Sequence, residues 1–404
     1  MQTEIPLRVV ASLADLDRQA WDRVANPGWD LPEGGRLQPS AGVQPAQPYN
    51  PFVAYDFLWS LEESGCATRR TGWLGQHLIL GDETSIEAAV PAYLKSHSQG
   101  EYVFDWGWAD AFERAGGSYY PKLQISVPFT PATGPRLLVG DGEGAFERRA
   151  IMAEGIMTLT RRHGASSAHA TFLEPEDADI LSSSGFLERT DQQFHWTNDG
   201  YGSYDDFLAA LASRKRKALK KERREALASD ISIEWITGKD LTEAHWDAFY
   251  AFYMDTGGRK WGRPYLNRLF FSQVSDRMAD RILLVMAKRE GRYIAGALNF
   301  IGSDTLYGRN WGCIEDHPFL HFEVCYHQAI DFAIAHGLKT VEAGAQGEHK
   351  LARGYLPVTT RSAHFIANPS FREAIADYLV RERRAIAENA EFLSDQGPFR
   401  RDCD

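Results

Sequence analysis

The sequence contains little cysteine, and the four cysteines are scattered along the chain, at Cys66, Cys313, Cys325 and Cys403. No CxxC pair occurs, so nothing supports a zinc site or a disulfide framework. Reduced thiols fit a cytoplasmic protein. The sequence also has no apolar run long enough to span a membrane, and the first six residues lack the features of a signal peptide. We therefore expect a cytoplasmic protein without a metal site or a membrane span.

The chain also has no excess of positive charge. Its 44 Lys and Arg residues face 55 Asp and Glu residues, which gives a net charge of −11. A broad nucleic-acid surface needs the opposite balance, although a local basic patch can still bind phosphate or RNA. Residues 214–224 are such a patch, because most of them are Lys or Arg.

The order of strand-like and helix-like segments is the same in both halves of the chain. Residues 1–200 show strand, helix, helix, antiparallel meander, a strand that opens into a loop, helix, strand, helix and strand. Residues 201–404 repeat this plan, so we predict an α/β fold with mixed sheets in two duplicated domains, with the seam near residue 200. The alternative is a chance similarity between two α/β halves. With 404 residues, the chain has room for both domains.

Several segments stand out from this plan. Residues 27–51 are rich in Pro, Gly, Gln and Ala, and we expect a mobile loop with a local insertion at 32–48. Residues 102–108 are predicted to form the last strand of the first meander. Residues 204–227 are predicted to form a basic helix, or a hinge between two helices. Residues 371–391 are predicted to form a final helix.

Charged side chains crowd into one loop near the C-terminal end. A helix with an apolar residue at every fourth position over 322–334 is followed by Gly337 and a strand at 339–343. The next loop holds an acid, an imidazole, an ammonium and a guanidinium, at Glu348, His349, Lys350 and Arg353. Because sites in α/β proteins are commonly built at strand ends, we favour a functional site over a solvated turn.

The order of elements resembles the Gcn5-related N-acetyltransferase (GNAT) fold present twice, and the tandem arrangement resembles the FemAB-type aminoacyltransferases of peptidoglycan cross-bridge synthesis. Longer strings are similar to the bacterial FemAB-like family of peptidoglycan biosynthesis and recognition. They are Asn-Pro-Phe at 50–52, KSHSQGEYVFDW at 95–106, YYPK at 119–122, VPFTP at 127–131, GPRLL at 134–138, HFE at 321–323 and GAQGEHK at 344–350. The resemblance covers nearly the whole chain.

This resemblance implies an acyltransferase that moves an acyl or aminoacyl group to a small-molecule or peptide amine, without a tightly bound cofactor. We take acyl-CoA as the first choice of donor and aminoacyl-tRNA as the second, because the chain is acidic and the basic run is short. We interpret residues 214–224 as a solvated helix face, with tRNA contact as the alternative. Another alternative is a non-catalytic module that recognises a peptidoglycan precursor or a peptide in an interdomain cleft.

Acyl transfer to an amine requires a deprotonated nucleophile, a polarised carbonyl and a path for the proton. The candidate catalytic bases are Glu323, Glu348, His349 and His321. Lys350 and Arg353 are candidates to hold a carboxylate or a phosphate of the substrate. Glu323 also suits a helix N-terminus, where an acid complements the helix dipole, and both interpretations stay open.

Further candidates for substrate binding lie elsewhere in the chain. They are His97, Glu101, Lys122, Trp106, Trp108, Arg259 and Lys260. The turn with His97 and Glu101 either lines the interdomain cleft or is a surface hairpin turn. Lys122 is expected to contact an anion. The tryptophans stack on a sugar or a base, or belong to the core. The segment that carries the two cations at 259–260 resembles the substrate-side loop of such enzymes.

Neither half contains a full match to the usual GNAT pyrophosphate loop. That loop has the pattern Gln/Arg-x-x-Gly-x-Gly/Ala and precedes a helix. In the first half, residues 130–136 take its place. This makes Thr130, Thr133, Gly134 and Arg136 the candidates for CoA binding. In the second half, residues 312–318 take its place and include two acids, which would repel a pyrophosphate.

Overall fold

The computed structural model describes residues 5–32, 35–228, 230–260, 264–344 and 347–400, and the side chains of Arg259, Lys260 and Glu348 lie outside the described set. Within it, the strands are β1 (Leu7–Val10), β2 (Trp29–Asp30), β3 (Gln38–Pro39), β4 (Trp73–Gly75), β5 (His77–Gly81), β6 (Ile86–Val90), β7 (Ala92–Lys95), β8 (Lys122–Ile125), β9 (Ser167–Leu173), β10 (Leu187–Thr197), β11 (Ile231–Thr237), β12 (Ile282–Arg289), β13 (Arg292–Ile301), β14 (Thr305–Cys313), β15 (Thr340–Glu342) and β16 (Leu356–Ile366).

The helices alternate with these strands. They are α1 (Arg18–Ala25), α2 (Tyr55–Glu63), α3 (Trp106–Arg114), α4 (Ala145–Arg162), α5 (Pro175–Ser183), α6 (Tyr204–Ala210), α7 (Ser213–Ala226), α8 (Glu243–Lys260), α9 (Arg268–Met278), α10 (Leu320–Phe322), α11 (Gln328–Ala335) and α12 (Pro369–Asp395). A π-helical turn, Glu323–His327, joins α10 to α11, and a short 3-10 helix, Glu348–Arg353, follows β15.

The chain forms two compact units. The first contains the described residues up to Asp30, with Gln38–Asp191 and Thr359–Ala387, and the second contains the others. The units therefore interleave along the sequence, whereas the predicted domains 1–200 and 201–404 meet at one seam. Residues 359–387, which the sequence analysis placed in the second domain, pack with the first unit. The two domain boundaries stay a prediction.

The main sheet of the first unit has the strand order β4, β7, β8, β9, β16. Each neighbouring pair is antiparallel except β8 and β9, which are parallel, with Gln124 opposite His169. The chain also forms a three-stranded antiparallel sheet in the order β1, β5, β6. Alternate strand residues such as Leu123 and Ala168 pack with Ile156 of α4 in one apolar core.

In the second unit, β11 to β14 form an antiparallel meander, and β15 adds to β14 in parallel and to β10 in antiparallel orientation. The core packs Val285 and Val341 of this sheet against Val324 and Ile330 of the helical segment. Helix α8 lies directly on β14. A Cβ atom on Gly312 would lie 2.3 Å from the Phe252 carbonyl oxygen, so this contact requires glycine.

The mixed α/β fold predicted from the sequence is confirmed. The helix predicted around 322–334 and the strand predicted over 339–343 appear as α10 to α11 and as β15. The basic segment divides at 211–212 into α6 and α7, as the hinge interpretation expects. Among the described residues, no helix combines the length and the apolarity needed to cross a membrane.

The strand predicted at 102–108 is wrong, because helix α3 begins at Trp106. Trp108 is buried in the first turn and Phe112 packs on the same small cluster four residues later, which is helical spacing. The aromatic residues around this point have high β-propensity and obscured that spacing. Trp106 and Trp108 therefore lie on a helix and not at a strand end.

Candidate functional site

The loop predicted to be functional lies where β15 leaves the sheet of the second unit. The parallel ladder of β14 and β15 ends at Tyr307 and Glu342. The 3-10 helix Glu348–Arg353 follows, and the π-helical turn Glu323–His327 contacts it. Such turns are rare in helices and are frequent at functional sites.

Two residues of these segments form a hydrogen-bonded acid–base pair. His349 is exposed, and its Nε2 lies 2.9 Å from the Tyr326 hydroxyl oxygen. Burial raises the pKa of Tyr326, so this phenol is protonated at neutral pH. The His321 ring lies 5.5 Å from the Tyr326 ring and 6.2 Å from the His349 ring. We call His321, Phe322, Tyr326 and His349 the His349 cluster.

Lys350, predicted to hold an anion, is only 1% exposed. Its Nζ donates to the Gly344 carbonyl oxygen at 2.8 Å. Burial lowers the pKa of Lys350 to about 8, because the ammonium has lost its hydration. The structure thus buries the Lys350 amine, with a lowered pKa, next to His349 in sequence, and its role toward substrate stays a prediction.

This burial makes stability depend on pH. An unfolded lysine titrates near pH 10.4, so between about pH 8 and pH 10.4 the unfolded chain binds more protons than the folded chain, and stability rises with pH. From pH 7 to pH 9 we expect wild type to gain about 1 kcal/mol relative to Lys350→Met. Urea unfolding of both proteins at the two pH values measures the difference, and parallel pH profiles would contradict the assignment.

Glu323, predicted as a base, has no exposed surface and is held by cationic and amide donors. Its carboxylate accepts hydrogen bonds from Arg223 Nε at 3.1 Å, Arg223 Nη2 at 2.9 Å and Gln328 Nε2 at 2.7 Å. Arg223 also donates to Asp331 at 2.7 Å. These hydrogen bonds tie the π-helical turn to helix α7, and the role of Glu323 as a catalytic base stays a prediction.

Arg353 is also occupied by protein groups. It donates two hydrogen bonds to the Glu222 carboxylate, at 2.8 and 2.6 Å, and one to the His349 carbonyl oxygen at 2.6 Å. Its guanidinium lies 3.5 Å from the centre of the Phe322 ring. Glu222 also contacts His327 Nε2 at 2.8 Å. In this geometry Nε, Nη1 and Nη2 of Arg353 each bond to a protein oxygen, and binding of a substrate anion by Arg353 stays a prediction.

Helix α7 has two faces of different chemistry. Glu222 and Arg223 point inward to the contacts described above. The same helix carries exposed cations, at Arg214, Lys215, Lys217, Lys220, Lys221 and Arg224. Helix α7 therefore combines inward charges that contact the π-helical turn and the 3-10 helix with several exposed cations.

Three predicted site side chains lie outside the described set, namely Glu348, Arg259 and Lys260. Of the residues predicted in the first unit, the structure brings Glu101 and Lys122 together, with Glu101 Oε2 2.6 Å from Lys122 Nζ. His97 Nε2 lies 2.9 Å from the Thr71 carbonyl oxygen, an ordinary turn contact.

The two predicted tryptophans have different environments. Trp108 is 6% exposed and packs against the His364 ring at 5.0 Å, so it belongs to the core. Trp106 is 56% exposed, and its ring lies 4.9 Å from the Phe104 ring. Only Trp106 is free to stack on a ligand without rearrangement.

The four residues predicted to bind CoA do not fit a pyrophosphate. The Arg136 guanidinium donates to the carbonyl oxygens of Thr171, Ala132 and Pro135, at 3.1, 2.8 and 3.0 Å. The Thr130 hydroxyl donates to the Pro128 carbonyl oxygen, and the Thr133 carbonyl accepts from Asn50. Gly134 donates its N–H to Phe172. Helix α4 begins only at Ala145, so these residues do not form a helix N-terminus.

Sequence reasoning missed Tyr326, which counted as one residue of an apolar stripe, and Glu222 and Arg223, which counted as solvated. The sequence contained one sign that Glu222 faces inward. Leu219, Glu222 and Ala226 are three and four residues apart, so they lie on one face of the helix, and all three are buried. A charge on such a face requires a buried partner.

Comparison with protein-family models identifies the family of this chain. A family model described as FemAB-like, peptidoglycan biosynthesis/recognition, matches residues 12–401. A search of curated proteins found no significant match.

Several solved structures are similar. FemX has 12% sequence identity and a TM-score of 0.52, with 89% of this chain and 98% of FemX covered. L-PGS from Bacillus licheniformis has 9% identity and a TM-score of 0.48, with coverage of 83% and 99%. A tandem GNAT protein from the clavulanic acid biosynthesis pathway has 12% identity and a TM-score of 0.44, with coverage of 91% and 99%. At such identities, the likeness to FemX concerns the fold alone.

Proposed function

Because this chain belongs to the FemAB-like family, we propose that it is an aminoacyltransferase that moves an aminoacyl group from aminoacyl-tRNA to a primary amine. The observation that carries the proposal is the pair of His349 and Tyr326, an exposed imidazole 2.9 Å from a protonated phenol. Histidine is the side chain used most often as a general acid or base.

The pair supplies both proton transfers of aminolysis. The amine nitrogen attacks the ester carbonyl, a C–N bond forms, and the C–O bond to the ribose breaks. His349 takes the proton that the attacking nitrogen loses, and the leaving ribose oxygen receives a proton from the imidazolium or from Tyr326. Arg353 holds the backbone of His349 through its carbonyl oxygen, and the Tyr326 hydroxyl contacts the imidazole itself.

The choice of aminoacyl-tRNA over acyl-CoA reverses the first choice of the sequence analysis. The residues predicted to bind CoA use their polar groups on protein carbonyls, as described above. Helix α7, in contrast, exposes several cations close together in sequence, among them Arg214, Lys215 and Lys217. Closely spaced cations on a helix suit a phosphate backbone.

Replacing Arg214, Lys215 and Lys217 together with glutamine tests this donor. We expect tRNA affinity to fall and the slope of log K against log salt to become shallower by about 2 to 3, because each phosphate contact contributes about 0.7 to 0.9. Filter binding between 50 and 200 mM salt measures the slope.

The matched control replaces three exposed cations outside α7, Arg69, Arg70 and Lys239, with glutamine, which changes the net charge equally. We expect this control to keep the wild-type slope. An unchanged slope in the α7 variant, or binding of acyl-CoA in the absence of any tRNA binding, would remove aminoacyl-tRNA as the donor.

A further inference from the structure

Glu222 is a buried carboxylate that contacts both segments carrying the His349–Tyr326 pair. Its Oε1 and Oε2 accept hydrogen bonds from Arg353 Nε and Nη2, at 2.8 and 2.6 Å, and Arg353 ends the 3-10 helix that contains His349. Its Oε1 also lies 2.8 Å from His327 Nε2, and His327 follows Tyr326 directly in the π-helical turn. Glu222 itself belongs to helix α7. One side chain of α7 therefore connects the two segments.

Arg353 extends this connection to His349 in two ways. Its Nη1 donates to the His349 carbonyl oxygen at 2.6 Å, which fixes the backbone of that residue. Its guanidinium lies 3.5 Å from the centre of the Phe322 ring, and that ring centre is 5.4 Å from the centre of the His349 imidazole. Because the fork of Arg353 is planar and rigid, its two bonds to Glu222 set the direction of both contacts.

The His349 imidazole has close neighbours of its own. A Cβ atom on Gly347, which has φ 119°, would lie 2.4 Å from His349 Cε1, so the backbone of Gly347 lies against the imidazole. The Tyr326 hydroxyl oxygen is 2.9 Å from His349 Nε2, and the Phe322 and Tyr326 rings stack with 6.1 Å between their centres. Rotation of a ring with such neighbours cannot compensate for a shift of its backbone, so a displaced backbone moves the imidazole relative to Tyr326.

The second contact of Glu222 fixes the ring of His327. His327 has no exposed surface, and its Nδ1 lies 2.5 Å from the Tyr204 hydroxyl oxygen. A carboxylate only accepts hydrogen bonds, so His327 Nε2 donates to Glu222, and Nδ1 of the neutral ring accepts from Tyr204. Although burial opposes it, the hydrogen bonds from His327 and Arg353 lower the pKa of Glu222. Glu222 is therefore ionised at neutral pH and accepts from both partners.

Helix α7 has a further connection to the π-helical turn. Arg223, the next residue after Glu222, donates two hydrogen bonds to Glu323 and one to Asp331. These contacts lie in the π-helical turn and in helix α11, whereas Glu222 also reaches the 3-10 helix. What Glu222 adds is therefore the connection between the two segments, and not the attachment of α7 alone.

We propose that Glu222 is a positioning residue of the transfer reaction, which acts through Arg353 to hold His349 at hydrogen-bond distance from Tyr326. The proposal deepens the proposed function and rests on it, because His349 and Tyr326 are the groups to which that function assigns the proton transfers. Proton transfer needs the two side chains in a fixed relation, and a displacement of about 1 Å can lower a rate a hundredfold.

Glu222→Gln tests this role. Glutamine has the size of glutamate, but its amide nitrogen is a donor and cannot accept from Arg353 or His327. We expect kcat for transfer to fall about tenfold to a hundredfold. The Kd for aminoacyl-tRNA should keep its wild-type value, because the exposed cations of α7 are unchanged. Single-turnover rates and filter binding, at temperatures where thermal unfolding shows the variant to be folded, measure the two quantities.

Glu225→Gln is the matched control on the same helix. The Glu225 carboxylate lies 3.5 Å from Lys221 Nζ, and both side chains are largely exposed, so this contact contributes little. The control removes the same charge as Glu222→Gln and should keep the wild-type kcat. A wild-type kcat in folded Glu222→Gln, or an equal loss of kcat in both variants, would overturn the proposal.

Arg353→Lys separates position from charge. Lysine keeps the positive charge but has no planar fork for the Glu222 carboxylate and the His349 carbonyl. We expect kcat to fall as in Glu222→Gln, and the double variant to lose no more than either single variant, because the two residues act as a unit. A wild-type kcat in Arg353→Lys, or a weaker substrate affinity with an unchanged kcat, would overturn the positioning role.

A measurement without the reaction keeps this proposal apart from the proposed function. In protein labelled with ¹³C-histidine, the ring signal of His349 is the one that His349→Gln lacks. We expect Glu222→Gln to shift this NMR signal and Glu225→Gln to leave it unchanged. An unshifted signal in Glu222→Gln would overturn the connection to His349. A shifted signal in a protein that transfers no aminoacyl group would support the connection and remove the reaction.

Discussion

Replacing His349 with glutamine is expected to slow aminoacyl transfer by about a hundredfold to ten-thousandfold, the usual contribution of a general acid–base group. Glutamine can keep a hydrogen bond to the Tyr326 hydroxyl, but it cannot accept a proton at neutral pH. Because His349 is exposed, the melting temperature should not change. Single-turnover transfer rates and thermal unfolding of the same preparation measure both quantities.

The control is His336→Gln in the same unit. His336 is exposed, and its Nδ1 lies 2.9 Å from the Phe332 carbonyl oxygen of its own helix. This variant should transfer at the wild-type rate. A His349→Gln enzyme with wild-type activity would contradict the assigned proton transfers, and a rate loss equal to that of His336→Gln would do the same.

Replacing Arg223 with methionine is expected to destabilise the protein by about 3 to 5 kcal/mol, the cost of leaving a buried charge without its partner. Glu323 has no exposed surface and receives two hydrogen bonds from Arg223, and Asp331 receives one. Although burial opposes it, the two carboxylates raise the pKa of Arg223. Urea unfolding gives the loss in free energy.

The next residue offers a matched control. Arg224 is exposed on the other side of the same helix, so Arg224→Met should change stability by less than about 0.5 kcal/mol. A double change, Arg223→Met with Glu323→Gln, should recover part of the loss, because it removes a charge from each side of the pair. Equal stability of the Arg223 and Arg224 variants would show that the ion pair does not fix the π-helical turn.

Apolar spacing predicted the elements around the site well. The four-residue repeat from Phe322 to Ile334 places one face of the helical segment in the core, and Gly337, with φ 68°, follows its end. Such patterns depend only on neighbours along the chain, so they are visible in a single sequence. The π-helical turn within this segment has no comparable pattern.

The partners of charged residues could not be predicted in the same way. Arg223 and Glu323 are a hundred positions apart in sequence. Either residue taken alone suits a solvated surface, and nothing in the spacing shows which acid neutralises which cation. Glu323 and Arg353 were therefore assigned to substrate chemistry, whereas the structure pairs them with residues of helix α7.

Strand β9 carries a signal that the sequence analysis did not use. Residues 167–171 read Ser-Ala-His-Ala-Thr, a strict alternation of polar and small residues, and all five are buried. Alternation in a strand usually marks a solvated face. Only tertiary structure shows that this polar face is covered, so a pattern typical of a surface strand belongs here to a buried strand.

The most direct test of the proposed function is a transfer assay with mass detection. Wild-type protein is incubated with a mixture of aminoacyl-tRNAs and a muropeptide that carries a free primary amine. We predict a product heavier than the muropeptide by one aminoacyl residue, and no such product with His349→Gln. A muropeptide that keeps its mass with every aminoacyl-tRNA, or gains an acyl group only from acyl-CoA, would contradict the account.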